Sequence, residues 1–227
     1  ANCRTVLQRS VRDHAGQAGN PQVEAAVAKL ANLIEGLKED VPADVLRGKE
    51  GEAANAYFDV FDHMITAQKE DFFFRGRSRR PPMDNMNALL SFIYTILAHD
   101  ASAALETVGL DPQVGLLHTD RPGRPGLALD LMEEFRPFMA DRLALSLVNL
   151  RQVQGKGFTK TESGAVTMDD ETRKALLVAY QKRKQEEIRH PFLDEDVPVG
   201  MLLHVQAMLL ARHLRGDLDG YPPFIWK

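Results

Sequence analysis

Thiols are nearly missing from this chain: Cys3 is its only cysteine. That excludes an intrachain disulfide and suits a reducing compartment. It also excludes the cysteine-rich ligand sets of structural zinc sites. Long apolar runs are missing too. No uninterrupted stretch is long enough to span a bilayer, and no signal peptide is visible. The cytoplasm is the expected location, with no membrane partner. An excess of positive charge is likewise absent. The 28 Lys and Arg are outnumbered by 32 Asp and Glu, for a formal net charge of -4. Any nucleic-acid site must therefore be a local basic patch. Internal repeats and low-complexity tracts are not found.

What is present is ordinary globular material. The chain has 227 residues, 44% hydrophobic and 26% charged, enough for a sizeable core. It begins on alanine, and "ANCRTVLQRSVRDH" reads as a helix already under way, so a fragment of a longer protein is expected. Cys3, Val6, Leu7 and Val11 repeat at helical spacing. "GNP" stops that helix and starts another, with Asn20 as cap and Pro21 in its first turn. Val23, Ala26, Val27, Leu30, Ile34 and Leu37 form its apolar stripe. A third helix opens near Pro42 and runs through "ADVLRGKEGEAANAYFDVFDHMI". Beyond the basic loop "FRGRSRRPP" comes a helix capped by Asp84 and stopped by Gly109. Pro137 should kink or break the helix that follows, because it supplies no N–H to the carbonyl of Glu133. "GFTKTESGAVTM" is the one clear hairpin candidate, turning at Glu162-Ser163-Gly164. Asp169 or Asp170 starts the helix "ETRKALLVAYQKRKQEEIR". A last helix covers "VGMLLHVQAMLLARHLRG", and the tail "YPPFIWK" packs as an extended segment. The expectation is a single mostly α domain over residues 1–227 with one small β-hairpin.

Several residues could carry chemistry. Glu50 shares a helical face with Leu46, Ala53, Ala54 and Tyr57, so it should point toward the core or into a cleft. Gly48 and Gly51 flank it, each lowering helix stability by about 1 kcal/mol against alanine. Close approach by another backbone or a ligand is the expected reason for them. Taken alone, Glu50 is more often a partly exposed carboxylate. His118 lies where apolar "VGLL" becomes the loop "TDRPGRPG", and a histidine there is more often structural than a ligand. Asp130 and Glu133 are three apart and share a helix face, with Glu134 also near. Spacing does not choose between Glu133 and Glu134. Acids in an oily helix are costly unless something compensates for their charge. The bland alternative is a solvated acidic stripe partnered by Arg136.

Carboxylates with one imidazole make an oxygen/nitrogen set suited to Mg²⁺ or Mn²⁺. Such ions commonly serve phosphoryl transfer. Arg75, Arg77, Arg79 and Arg80 supply a phosphate-contacting candidate. Phe72, Phe73 and Phe74 just before them read as core rather than a base-stacking platform. Lys182, Arg183 and Lys184 form a second basic patch, of a kind usually only solvated.

Four stretches carry a resemblance to a known family: "RGKEGEAANAYF", "RSRRPPMDNMNALLSFIYTIL", "GLDPQVGLLHTDRPGRPGLALDLMEEFRP" and "GYPPFIWK". They occur in family order and reach nearly end to end. The sequence resembles the CRISPR-associated integrase family, "Cas one", the metal-dependent enzymes of spacer acquisition. Its tail and hairpin region are most similar to the I-C subtype. The resemblance implies metal ligands at Glu50 ("EG"), His118 ("GxLH") and Glu133 (three after the aspartate of "LxxDLxE"), with Asp130 as an auxiliary acid. It thereby selects Glu133 over Glu134. It also implies double-stranded DNA as substrate, Mg²⁺ or Mn²⁺ as cofactor, a homodimer, and a small "Cas two" dimer as partner. The family's β-rich N-terminal domain is not in this sequence. The competing expectation is a non-catalytic helical DNA-binding or assembly module whose acids form only salt bridges.

Overall fold

The computed structural model describes residues 1–13, 20–37, 41–119 and 121–226. Gly19, the expected helix stop, lies outside the described residues. The chain order is α1 (Asn2–Asp13), α2 (Pro21–Glu35), α3 (Ala43–Phe58), α4 (Asn85–Thr107), α5 (Gly126–Phe135), α6 (Arg142–Asn149), β1 (Phe158–Lys160), β2 (Val166–Met168), α7 (Asp170–Gln185), β3 (Glu187–Arg189), β4 (Asp196–Pro198) and α8 (Leu202–Leu214). The protein is mostly α, as expected. By its contacts the chain divides into two compact units, Ala1–Ser91 with Arg142–Leu176, and Phe92–Asp141 with Leu177–Lys227.

In the first unit α1 packs on α2 and α3. Asn20 caps α2 by accepting the Gln22 amide at 3.0 Å. Val23, Ala26 and Leu30 bury the expected stripe, but Leu37 lies exposed beyond the end of the helix. α3 stops at Phe58, short of the expected span, and a 3₁₀ turn, Phe61–Met64, follows it. Tyr57, Phe58, Phe61 and Phe74 form an aromatic cluster with centroids 4.8 to 5.8 Å apart. Phe72 and Phe74 are core residues as expected, but Phe73 is exposed. The β1–β2 hairpin pairs Phe158 with Met168 and turns at Gly164, whose φ of +83° suits glycine. Asp169 caps α7 by accepting the Thr172 amide at 2.7 Å.

α4 has 23 residues and is, by length and composition alone, apolar enough to cross a membrane. That corrects the reading of the sequence as free of such a segment. Leu89, Leu90, Ile93, Leu97, Ala101 and Leu105 along it are fully buried, the pattern of a core helix.

Pro137 does not break its helix. Residues Arg136–Asp141 form a π-helical segment joining α5 to α6. The wider i→i+5 turn accommodates a residue that has no N–H to give the carbonyl four residues back.

In the second unit a second hairpin replaces the expected end of α7. β3 pairs with β4, Ile188 opposite Val197. His190 drives this turn. Its Nδ1 accepts the amides of Phe192 and Leu193 at 3.3 and 3.2 Å. The chain then passes through Asp194 at φ 56°. A local side-chain acceptor of this kind outcompetes helix continuation. The tail from Tyr221 runs extended, as expected, with Phe224 and Trp226 buried.

Candidate metal centre and basic loop

The loop before α5 folds back onto that helix's first turn. Pro125 stands at the cap and offers no side-chain acceptor. The orphan amides of the first turn are met by loop carbonyls instead. Leu127 and Ala128 donate to Pro112 O at 3.0 and 3.2 Å, and Gly126 donates to Gln113 O at 3.3 Å. Two glycines allow the contact. A Cβ on Gly126 would lie 2.9 Å from the Gly115 Cα, and one on Gly115 would strike the His118 carbonyl.

This fold-back delivers His118 to Asp130. Asp130 Oδ2 accepts the amides of Leu116 and Leu117 at 2.6 and 3.0 Å. Its Oδ1 accepts the His118 amide at 3.0 Å and meets His118 Nδ1 at 2.6 Å. A carboxylate only accepts, so Nδ1 carries the proton, and Nε2 is the nitrogen left to act as a base or ligand. The two side chains are 15% and 12% exposed, which shields the pair from competing water. Asp130 is thus an orienting acid: both its oxygens are engaged in shaping the loop and holding the ring.

Glu133 follows one turn later. It is 28% exposed and ion-pairs with Arg136, whose guanidinium also lies 5.0 Å above the Tyr94 ring. Glu134 does something else. It accepts from the Tyr221 hydroxyl at 2.6 Å, the Phe224 amide at 2.7 Å and Gln206 Nε2 at 2.9 Å. Burial raises its pKa above the usual carboxylate value, and the three donors oppose that rise. The structural role of Glu134 escaped the sequence reading. A signal was present: Glu134 falls seven after Leu127 and three after Leu131, on the buried stripe of the helix.

Glu50 lies in α3, in the other unit, and is exposed rather than turned into the core. A Cβ on Gly48 or Gly51 would meet nothing within 4 Å, so no described part of this chain makes the expected close approach. Among the described residues no three His, Cys, Asp or Glu side chains gather closely enough to hold a metal. The structure therefore brings His118 and Asp130 together, with Glu133 on the next turn. The donor set itself, one oriented imidazole nitrogen and carboxylate oxygens without sulfur, fits Mg²⁺ or Mn²⁺. The feature that opposes it is Arg136, a cation already placed on Glu133.

The basic loop is organised by Asn87, which is fully buried. Its Oδ1 accepts from Arg77 Nη1 and, at 3.1 Å, from the Ser78 amide. Its Nδ2 donates to Gly76 O at 2.9 Å and Asp84 Oδ2 at 2.7 Å. Asp84 Oδ1 in turn caps α4 through the Asn87 amide at 2.7 Å. Arg77 is thus built into the loop, whereas Arg75, Arg79 and Arg80 are exposed. Arg75 sits 5.1 Å above the exposed Phe73 ring. In the second patch, Arg183 packs 4.8 Å from the Phe138 ring and Lys184 pairs with Asp100 at 2.8 Å, so only Lys182 is freely solvated.

The family model described as "CRISPR associated protein Cas1" matches residues 1–182. A CRISPR-associated endonuclease Cas1 of Chlorobaculum tepidum is 55% identical over 226 residues, covering 100% of this chain and 66% of the relative. The chain thus spans about two thirds of the length of that relative. Among solved structures, a CAS1 protein from Thermotoga maritima superposes with a TM-score of 0.74 at 26% identity, over 99% of this chain and 67% of that one. A Cas6-RT-Cas1–Cas2 complex superposes with a TM-score of 0.81 at 25% identity, over 100% of this chain and 24% of that one.

Proposed function

The chain belongs to the Cas1 family of CRISPR-associated proteins, and on that premise we propose that it carries the catalytic centre of a metal-dependent DNA endonuclease and integrase. The reaction is attack by a 3′-hydroxyl of a short foreign duplex on a phosphodiester of the CRISPR array: a new P–O bond forms, the array's own P–O3′ bond breaks, and the array strand leaves with a 3′-hydroxyl. Nuclease activity is the same chemistry with water as the nucleophile. The observation that carries this reading is the His118–Asp130 pair. A histidine whose Nδ1–H is held by a carboxylate is the arrangement that orients metal-ligating imidazoles.

His118 Nε2 and Glu133 would hold Mg²⁺ or Mn²⁺, and Glu50 is a candidate ligand by its match to the "EG" motif alone. When bound, the ion supplies charge stabilisation for the pentavalent phosphorus centre. Asp130 fixes the imidazole's orientation and tautomer. Arg136 ion-pairs with Glu133 and orients that carboxylate. Exposed Arg75, Arg79 and Arg80 bind backbone phosphates without reading bases.

The likeness to a complex named for Cas1 and Cas2 supports a Cas2 dimer as partner, and the family resemblance supports a homodimer, double-stranded DNA as substrate and a cytoplasmic location. The competing reading, a non-catalytic helical DNA-binding module, draws on the Glu133–Arg136 ion pair, which is what a purely structural acid would form. Mn²⁺ titration by electron paramagnetic resonance separates the two. Stoichiometric binding that is lost in His118→Ala supports the metal centre. Equal, weak binding by both proteins supports the module.

A further inference from the structure

We propose that the C-terminal segment Tyr221–Trp226 is a positioning element of the metal centre, fixing the direction in which Glu133 leaves α5. This rests on the reading of Glu133 as a metal ligand.

Glu133 and Glu134 sit in the last turn of α5, just before its pitch changes. α5 ends at Phe135 and the backbone passes at once into the π-helical segment, with Pro137 lacking an N–H. An α-helical ladder that continued would fix the rotation of the acidic pair; here it changes pitch within one turn. The tail supplies the missing constraint on both sides of the change. Ahead of it, the Tyr221 hydroxyl and the Phe224 amide donate to the two oxygens of Glu134. At the end of α5, the Phe224 ring stacks on Phe135 with centroids 5.0 Å apart. Within the π segment, Phe138 meets Phe224 at 5.5 Å and Trp226 at 5.0 Å.

The tail is itself held by α8 and the second hairpin. Gln206 is fully buried, and its Nε2 lies 2.7 Å from the Tyr221 hydroxyl oxygen and 3.1 Å from Pro222 O, as well as donating to Glu134. Gln206 Oε1 accepts from His190 Nε2 at 3.1 Å. This tautomer is forced, because His190 Nδ1 is already an acceptor for two amides.

Successive residues on a helix point about 100° apart. Turning Glu134 inward to three donors therefore aims Glu133 roughly 100° away from it, toward Arg136, with Asp130 between the two directions. Loosening the tail lets the acidic pair rotate, and Glu133 then spends less time where an ion can use it. A partner residue that only orients a ligand typically changes metal affinity 10- to 100-fold, at about that order, when removed.

The test is Mn²⁺ affinity of the natural-length protein, measured well below its melting temperature. Glu134→Ala and Phe224→Ala should each weaken Mn²⁺ binding about tenfold or more. Glu134→Gln should restore it, because its amide oxygen accepts from Phe224 and Gln206 while its NH₂ faces the Tyr221 oxygen. Should the alanine variants fail to fold, Tyr221→Phe decides, since it deletes a single hydroxyl; a smaller weakening in the same direction supports the proposal. Glu133→Ala is the control. If it binds Mn²⁺ as the parent does, the metal-ligand reading fails. If Glu133→Ala loses Mn²⁺ while the tail variants bind like the parent, the tail is only structural and the proposal is overturned.

Discussion

His118 donates its Nδ1–H to Asp130 across 2.6 Å, and the same carboxylate accepts three successive backbone amides of the loop that carries the imidazole. One side chain thus sets both the loop and the ring. Replacing Asp130 by asparagine keeps the size but puts an NH₂ against donors. The expected cost is about 1–3 kcal/mol of stability from the amides left unsatisfied. Mn²⁺ affinity should fall about 10- to 100-fold in addition. Thermal unfolding and Mn²⁺ titration on one preparation check both. An unchanged affinity with lowered stability would reduce Asp130 to a loop brace.

The arginines of the basic loop should separate into two classes. Arg79→Ala and Arg80→Ala should weaken duplex binding uniformly across sequences, each lowering the slope of log affinity against log salt by about 1. Arg77→Ala should instead lower the melting temperature, because its guanidinium is hydrogen-bonded to the buried Asn87. Salt titrations of binding with thermal melts of each variant distinguish the classes. A full salt-slope change for Arg77→Ala with no loss of stability would refute the division.

Among the described residues, an added Cβ at Gly48 or Gly51 on α3 meets nothing within 4 Å. Alanine at either position should therefore raise stability, by up to about 1 kcal/mol through helix propensity. Chemical denaturation measures it. If the stabilised variants also bind DNA less well, the glycines serve a close approach from outside the chain.

His190 makes the second unit sensitive to acid. Burial lowers its pKa below the ordinary 6.5. The unfolded chain therefore takes up the proton first as pH falls through 6.5, and stability drops until the folded-state value is passed. Glu134 acts in the opposite sense. Its folded pKa is raised above 4.5, so in the window just above 4.5 the folded chain takes up the proton first, and stability is regained as pH falls. His190→Asn keeps an acceptor for the Phe192 and Leu193 amides but does not titrate. It should flatten the decline below pH 6.5 in denaturation curves collected from pH 8 to 5. The same slope in both proteins would place the titration elsewhere.

Much of this was legible from residue patterns, because helix caps and apolar stripes are local signals. Asn20, Asp84, Asp169 and Gly109 all work at the positions their chemistry suggested. What was not legible depends on partners distant in sequence. Glu134 looks like Glu133 until Tyr221 and Phe224 arrive some 90 residues later, as their separations of 87 and 90 show. Arg77 looks like Arg79 until Asn87 claims it. Pro137 reads as a helix breaker because the rule assumes α geometry, and the π segment changes the geometry. The second hairpin was hidden because "QKRKQEEIR" has good helix formers, and the acceptor that organises the β3–β4 turn, His190, lies just beyond them.

In the proposed reaction Glu133, and not its neighbour, is the acid that serves the chemistry. The most direct measurement is strand transfer of a short duplex into a repeat-containing target by natural-length Glu133→Ala protein, with duplex affinity measured alongside. If Glu133 serves the chemistry, metal-dependent strand transfer is lost while affinity for the duplex is unchanged or slightly higher, since a charge that repels phosphate is gone. Strand transfer at the parent's rate by Glu133→Ala would contradict it and return the acidic helix to a purely structural role.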